Sequence, residues 1–541
     1  MQKLSYLLLL IFSSIYCRAQ TAPYLVKDIT VGAQGDFMRD GVDLNGKLLF
    51  TYGDQLWITD GTEPNTVFLK AFSSMSNTLV VMSGKAYFVA DDSVHGNELW
   101  STDGTASGTV MVKDINPNGR GIKAQWGEGS PLCLMDGKLY FAADDGVHGF
   151  EPWYSDGTAN GTQMLKDINI SVSSIDTFLM NIATVNDAIY FTANNGISGQ
   201  ELWTSDGTPA GTHLVRDLDN DSSGVGPYKF MPYANRLVFL KYYNNTASDT
   251  AYITDGTFIG TQPIGPVEID FPQLNDHAIR GDRLYFLCTP SYAGPSKLYR
   301  TDGVSITAID TTWIQTPSMV DKRGFSSSFI NFNELLFYSG KALSVPSILG
   351  IRENEGYATG FQMPYVGPDT ASSYLPTSLT PFGSKIYFRY AKHQADIWMT
   401  NSLTTQKIAY PDDDVTLNLY IPILLRCPMV QVGNSLYFTG YYKTDIGPEL
   451  YKIDLFPANV TPNQATKTEL NIYPNPARDI LNIDGTGSLT IYDLLGRCVH
   501  SENLAANGHA LLNISLWPSG MYTVINMDSS RSRSYRKFVK E

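Results

Sequence analysis

A short apolar run ending in phenylalanine recurs along most of this chain, and its spacing restricts the fold more than any other feature. The runs read KLLF, KAYF, KLYF, AIYF, RLVF, RLYF, ELLF, KIYF and SLYF. They end at Phe50, Phe88, Phe141, Phe191, Phe239, Phe286, Phe337, Phe388 and Phe438, which are 38, 53, 50, 48, 47, 51, 51 and 50 residues apart. A near-constant period of this length marks tandem supersecondary units. Each is too small to bury a core alone and must stack on its neighbours.

Each unit parses into four short strands. The third reads SPLCLM, KLYFAAD, FEPWYSD and TQMLKDI, joined by DG, DDGVHG and DGTANG. Those junctions hold the Asp and Gly that tight antiparallel connections require. Four strands per repeat is the pattern of a propeller blade, with an open solenoid as the competitor. The ends favour closure. YLVKDI, from Tyr24 to Ile29, precedes the first unit as a fourth strand without a blade, and the ninth unit, SLYFTGYYKTDIGPELYKIDL, lacks its own fourth strand. The one can complete the other, which also removes an exposed sheet edge. The expected fold is all-β: a large β-propeller built from nine repeat units, with eight or nine blades, closed by the N-terminal strand and followed by a small C-terminal β-sandwich.

A second motif keeps step with the first. Asp60, Asp103, Asp156, Asp206 and Asp255 each open an Asp-Gly-Thr, and Asp302 opens Asp-Gly-Val. Three residues before each stands a ring: Trp57, Trp100, Trp153, Trp203, Tyr252 and Tyr299, with Trp398 and Tyr451 later. Gly supplies the positive φ of a hairpin and Asp accepts local N–H groups, so the motif reads as a structural turn, with the rings packing between blades. The alternative is calcium, because ADDSVHGNE and ADDGVHGFE bring Asp91, Asp92, Asp144 and Asp145 together as hard oxygen ligands. The next copy, ANNGISGQE, loses both acids and has Ser198 in place of His95 and His148. The expectation is therefore no cofactor, with calcium as the weak alternative.

Composition agrees with an all-β chain rich in turns: 46 Gly, 28 Pro, 12% aromatic and 17% charged residues. A net charge of −14 gives no electrostatic draw toward nucleic acid or anionic lipid. Cys133, Cys288, Cys427 and Cys498 lie far apart without a C-x-x-C pair, so zinc and dithiol motifs are not expected. Residues 1–20 combine Lys3, the apolar LSYLLLLIFSSIY and the cleavage-like CRAQ, the pattern of a secretory signal peptide cut after Ala19 or Gln20. No later stretch is apolar for long enough to predict a transmembrane helix. Residues 21–455 carry the repeats, 456–469 a Pro/Asn/Thr-rich linker, and 470–541 a separate domain of short alternating strands. Its closing SYRKFVKE reads as one of these strands, with a frayed, soluble terminus as the alternative for the basic run RSRSYRKFVKE.

Two resemblances follow. ELWSTDGT and ELWTSDGT, with QLWITDGT and EPWYSDGT one position away, resemble the ELWxxDGT repeat of exported bacterial proteins. That repeat implies export and repeat architecture but no activity. The C-terminal domain resembles the type A C-terminal sorting domain of the type IX secretion system of Bacteroidota. The matching residues are Tyr473, Pro474, Asn475, Pro476 and Asp479, then Gly496 and Arg497, Gly520 and Tyr522, and the closing Lys537 and Lys540. This resemblance implies passage through the periplasm to an outer-membrane translocon, removal of the tail by a sortase-like protease, and release or attachment at the cell surface.

For the propeller, the absence of G-x-S-x-G, H-E-x-x-H and phosphate-cradling loops favours a non-catalytic scaffold binding a glycan or a surface protein. The alternative is a carbohydrate-active enzyme using a carboxylate pair from Asp249, Glu268, Asp270 and Glu353. Irregular inserts in units six to nine place Tyr357, Phe361, Tyr365 and Tyr410 as a possible ligand face.

Overall fold

The structure is a computed structural model. It describes residues 23–309 apart from short segments, mainly the strands between 314 and 454, and residues 471–541 apart from four short segments. Every regular element among the described residues is a β-strand. No helix among them is long and apolar enough to cross a membrane. The signal-peptide and linker assignments lie outside the described residues.

The repeat folds as antiparallel sheets, one per unit. The second is built on Val80–Met82, Lys85–Asp91, Asn97–Thr102 and Val110–Lys113, the third on Cys133–Met135, Lys138–Ala143, Glu151–Ser155 and Thr162–Met164. Nine such sheets form among the described residues, the second and seventh with a fifth strand. The first-to-second-strand hairpins turn through Asn45-Gly46, Ser83-Gly84 and Asp136-Gly137, and both residues of each pair have positive φ. That is the type I′ geometry whose twist matches the flanking strands.

The two sequence rulers are partners across the ladder. Phe50 faces Trp57, Phe88 faces Trp100, Phe141 faces Trp153 and Phe191 faces Trp203. In the fifth and sixth sheets Tyr252 and Tyr299 stack on Phe239 and Phe286, with interplanar angles of 11° and 18°. Such cross-strand ring pairs fix register, since a slip of one residue would turn every side chain to the other face.

Each core belongs to two successive sheets. Leu49, Leu56 and Ile58 of the first pack with Phe88 and Trp100 of the second. Tyr87 and Leu99 of the second pack with Phe141 and Trp153 of the third. The series continues to the sixth sheet. It also runs backwards. Tyr24–Lys27 pairs antiparallel with Glu449–Asp454 of the ninth sheet, Leu25 opposite Tyr451. Val26, Phe50, Tyr52, Val432 and Tyr437 then form one core shared by the first and ninth sheets.

The chain divides into two compact units, the larger comprising Pro23–Pro381 and Ile386–Lys452, the second mostly Ile453–Glu541. In the latter, Asn471–Tyr473, Ile480–Asp484 and His509–Asn513 form one sheet, and Cys498–Asn503, Ser488–Tyr492, Gly520–Met527 and Arg533–Lys540 another. Leu481, Ile483, Ile491, Val524 and Phe538 close a common core. The basic end is not frayed. Arg533–Lys540 pairs along its whole length with Gly520–Met527, Phe538 is fully buried and Lys540 nearly so. Alternation buries Phe538 and Lys540, whereas Lys537 and Val539 on the opposite face are exposed.

Candidate functional site

The recurring Asp-Gly-Thr lies in the hairpin between third and fourth strands, and its polar atoms are satisfied within it. In the second sheet Asp103 Oδ1 accepts from the Thr105 N–H at 2.9 Å and its hydroxyl at 2.7 Å. Gly108 N donates to Thr105 Oγ1 at 2.9 Å, and the Thr102 and Thr109 hydroxyls lie 2.8 Å apart. The same carboxylate bonds recur at Asp60, Asp156, Asp206 and Asp255. The Thr hydroxyl, then the Thr N–H, hold the carboxyls of Asp103, Asp156, Asp206 and Asp255 below their usual range. The motif thus extends to Ser/Thr-Asp-Gly-Thr-x-x-x-Thr. A Cβ on Gly108, Gly161, Gly211 or Gly260 would stand about 2 Å from the aspartate.

The turn is also a joint. A Cβ on Gly157, Gly207 or Gly256 would lie 2.2, 2.4 or 2.8 Å from the hydroxyl of Tyr87, Tyr140 or Tyr190, each on the second strand of the preceding sheet. Gly61 of the first sheet meets Tyr437 of the ninth in the same way, at 2.5 Å. In the second, third and fourth sheets a basic residue at or just beyond the fourth strand reaches forward to the next turn. Lys113 donates to the Thr162 carbonyl, Lys166 to that of Thr212 and Arg216 to that of Thr261, at 2.7, 2.6 and 2.8 Å. Lys70 and Lys113 also lie over the rings of Trp100 and Trp153. Trp100, Trp153 and Trp203 are buried in the cores shared with the preceding sheet, and half-buried Trp57 packs at the core shared with the ninth.

At the other end of the sheets sits a buried glutamate that sequence reasoning passed over. Glu98 accepts from Ile115 N and Asn116 N, tying the third strand to the segment that leaves the fourth. Glu151 accepts from Ile168 N, Ser174 N and the Ser174 hydroxyl. Glu449 does the same across 420 residues, accepting from Ile29 N at 2.5 Å and from the Thr30 hydroxyl at 3.1 Å. Burial raises all three carboxyls to about 7 against these donors. Its place two residues before Trp100, Trp153, Trp203 and Tyr451 was the available signal. In the fourth sheet Glu201 instead faces Lys241 of the fifth at 3.4 Å, both fully buried.

The hairpin acids are engaged locally. Asp91 and Asp144 accept from Ser93 N and Gly146 N, while Asp92 and Asp145 accept from the N–H groups of Val94 and His95, and of Val147 and His148. Asn194 and Asn195 make the same backbone bonds in the fourth sheet, which is why amides replace acids there. His95 and His148 face Asp92 and Asp145 at 2.9 and 2.8 Å. Among the described residues no group of three or more His, Cys, Asp or Glu could hold a metal ion.

Of the acids named as a pair, Asp249 is buried against the Tyr228 hydroxyl and raised by burial to about 6, whereas Glu268 is exposed. Asp270, Glu353, Tyr357, Tyr365 and Tyr410 lie outside the described residues, as does the side chain of Phe361. In the C-terminal unit the side chain of Asn475 accepts from Val539 N and donates to the Lys537 carbonyl, at 2.9 and 3.0 Å. Ala477 N donates to the Val539 carbonyl, so the segment through Pro474 and Pro476 is strapped along the last strand, and Asp479 offers its carbonyl to Ile514 N. Tyr522 stacks on Phe538 and donates its hydroxyl to the Pro518 carbonyl. Gly520 begins the strand that carries it. Gly496 and Arg497 lie outside the described residues.

Residues 471–541 match the family described as the secretion system C-terminal sorting domain, which implies export to the cell surface or medium and interaction with secretion machinery. A comparison with curated protein sequences finds no match. Three solved structures are similar over long stretches. PorZ, an essential surface component of the type-IX secretion system of Porphyromonas gingivalis, is 12% identical, with 95% of this chain and 100% of that chain covered and a TM-score of 0.19. A puromycin-hydrolyzing peptidase of Mycobacterium tuberculosis is 9% identical over 68% of this chain and 58% of its own, with a TM-score of 0.36. TolB of Acinetobacter baumannii is 12% identical over 53% and 62%, with a TM-score of 0.28. The chain thus spans less than two thirds of the latter two, and superpositions this loose carry no argument about its fold or function.

Proposed function

We propose that this is a protein of the cell surface or medium, delivered through the type IX secretion system by its C-terminal unit, whose repeat unit is a closed, nine-bladed, non-catalytic binding scaffold. The sorting-domain match over 471–541 carries the delivery. Closure is supported by the ninth sheet treating the first as its successor, through Tyr24–Lys27, Glu449 and the Tyr437–Gly61 approach. A scaffold role is supported by the recurring side chains, which are engaged structurally: Asp and Thr within their turns, Glu between strand and following segment, and Lys in the next turn. The Asp-Gly-Thr residues and their rings act in this reading as structural turns. Calcium has no part in it.

The test of delivery expresses the full chain and a version ending at residue 470 in a host with a type IX system. The full chain is expected outside the cell and the truncated one in the periplasm; equal export of both overturns the proposal. Incubating the purified repeat unit with polysaccharides tests the scaffold role. Sustained release of soluble sugar would overturn it and return attention to the carboxylates.

A further inference from the structure

The hairpins between second and third strands carry a feature that neither sheet joining nor sorting uses. Val94, Val147 and Ile197 occupy the same position in the second, third and fourth sheets, and they are 77, 80 and 81% exposed. Each sits among bonds that hold the hairpin rigid: N–H groups flanking the apolar side chain donate to Asp92, Asp145 or Asn195. The hairpins are linked into one surface by the segments between sheets. Gly96 packs on the backbone of Gly119 and Arg120, Gly146 on Asn116, Gly149 on Ser173 and Gly196 on Asn169. The last of these segments adds Ile170 and Val172, which are exposed too. Single exposed aliphatics are ordinary, but the same exposed position repeated on three hairpins that are linked through the intervening segments marks an interaction surface.

We propose that this ridge docks a protein segment rich in aliphatic and basic side chains. The inference rests on the reading of the repeat unit as a binding scaffold and names the surface and the partner. The tips present methyl groups, the adjoining rings of His95 and His148 are held against Asp92 and Asp145, and the neighbouring acids and amides are engaged by their own hairpins, so little remains to orient a sugar. Asp91, Asp92, Asp144 and Asp145 flank the first two tips, with Arg120 and two histidines as the nearby cationic or titratable groups. Apolar tips beside acidic side chains, as at the first two hairpins, complement a basic amphipathic segment and disfavour anionic lipid. A second copy of a chain with net charge −14 is likewise disfavoured.

The probe is a phage-displayed library of random dodecapeptides, selected on the mature chain with its C-terminal unit intact. Enriched peptides are expected to carry aliphatic residues with Lys or Arg, to weaken with added salt, and to bind Val94→Ser/Val147→Ser/Ile197→Ser at least tenfold more weakly. Because the tips are exposed, this variant should keep the parent melting temperature. A control, Phe258→Ser/Ile259→Ser, removes exposed apolar surface at another turn and should bind like the parent. Absence of enrichment, or peptides that bind the ridge variant equally, overturns the proposal. Neutral phosphatidylcholine vesicles that retain the parent but not the ridge variant overturn it in favour of lipid. Retention on a glycan without peptide binding would sink the ridge and leave the scaffold reading standing, whereas sugar release would sink the latter.

Discussion

At the residue scale the repeat depends on a close approach between an aspartate and a glycine five positions on. A Cβ at Gly161 would come within 2.0 Å of Asp156 Oδ1, although nothing about that glycine's φ demands glycine. Gly161→Ala should therefore destabilise the repeat unit by about 1–3 kcal/mol, the usual cost of overpacking a tight site. The first turn shows how a larger residue can be accommodated. Asn65 occupies the equivalent position and donates from Nδ2 to Asp60 Oδ2 at 2.7 Å. Gly161→Asn should consequently lose less stability than Gly161→Ala despite its bulk. Urea unfolding followed by tryptophan fluorescence would rank the two, and the opposite order would show that the approach to the carboxylate is not what selects glycine.

At the element scale the third strands of the second, third and ninth sheets are each tied to the segment beyond the fourth by a buried glutamate. Glu151→Ala leaves Ile168 N without its acceptor, whereas Ser174 N keeps the Phe150 carbonyl, and a loss of about 1–3 kcal/mol follows from the stranded donor. Glu151→Gln keeps an acceptor oxygen and should lose less. The glutamates also give stability a pH dependence. Folding raises Glu98, Glu151 and Glu449 from 4.5 to about 7, so the folded state binds protons that the unfolded state releases. Their contribution is fully present below pH 4.5 and declines until pH 7. His95 and His148, raised by Asp92 and Asp145, act in the same direction above pH 6.5. Urea midpoints should thus be higher at pH 5 than at pH 8, with a smaller difference in Glu98→Gln/Glu151→Gln; an unchanged difference would remove the glutamates from the account. The strands themselves were legible because their determinants are local. Asp136-Gly137 turns a hairpin unaided, and Phe141 lies opposite Trp153 once that hairpin is set. The buried glutamate was not legible, since a charged residue at a strand's start looks solvent-facing until its backbone donors are known. Lys113 reaching Thr162 depends on how neighbouring sheets meet, which one repeat cannot specify. The terminal SYRKFVKE was legible as a strand despite its charge, and Phe538 marks its buried face.

At the scale of the whole molecule the central question is whether the nine sheets form one cooperative body or a row. In a row, stability is a sum over sheets and neighbour interfaces, and losing an end strand affects one end only. In a closed series the same strand joins both ends. Residues 21–30, TAPYLVKDIT, hold the strand that pairs with Glu449–Asp454, the Val26 side chain in the first–ninth core, and the Ile29 and Thr30 donors to Glu449. Removing them exposes a strand edge open to non-native pairing. Deletion of residues 21–30 should lower the melting temperature, replace a single transition by a broader one, and promote concentration-dependent aggregation. Adding the peptide TAPYLVKDIT in trans should reverse these effects with saturable dose dependence, as strand addition to an open sheet does. A peptide with Val26→Asp should fail, because that side chain enters the shared core. A deletion variant that melts like the parent would show that the first and ninth sheets are held by other contacts, and closure through the N-terminal strand would have to be abandoned.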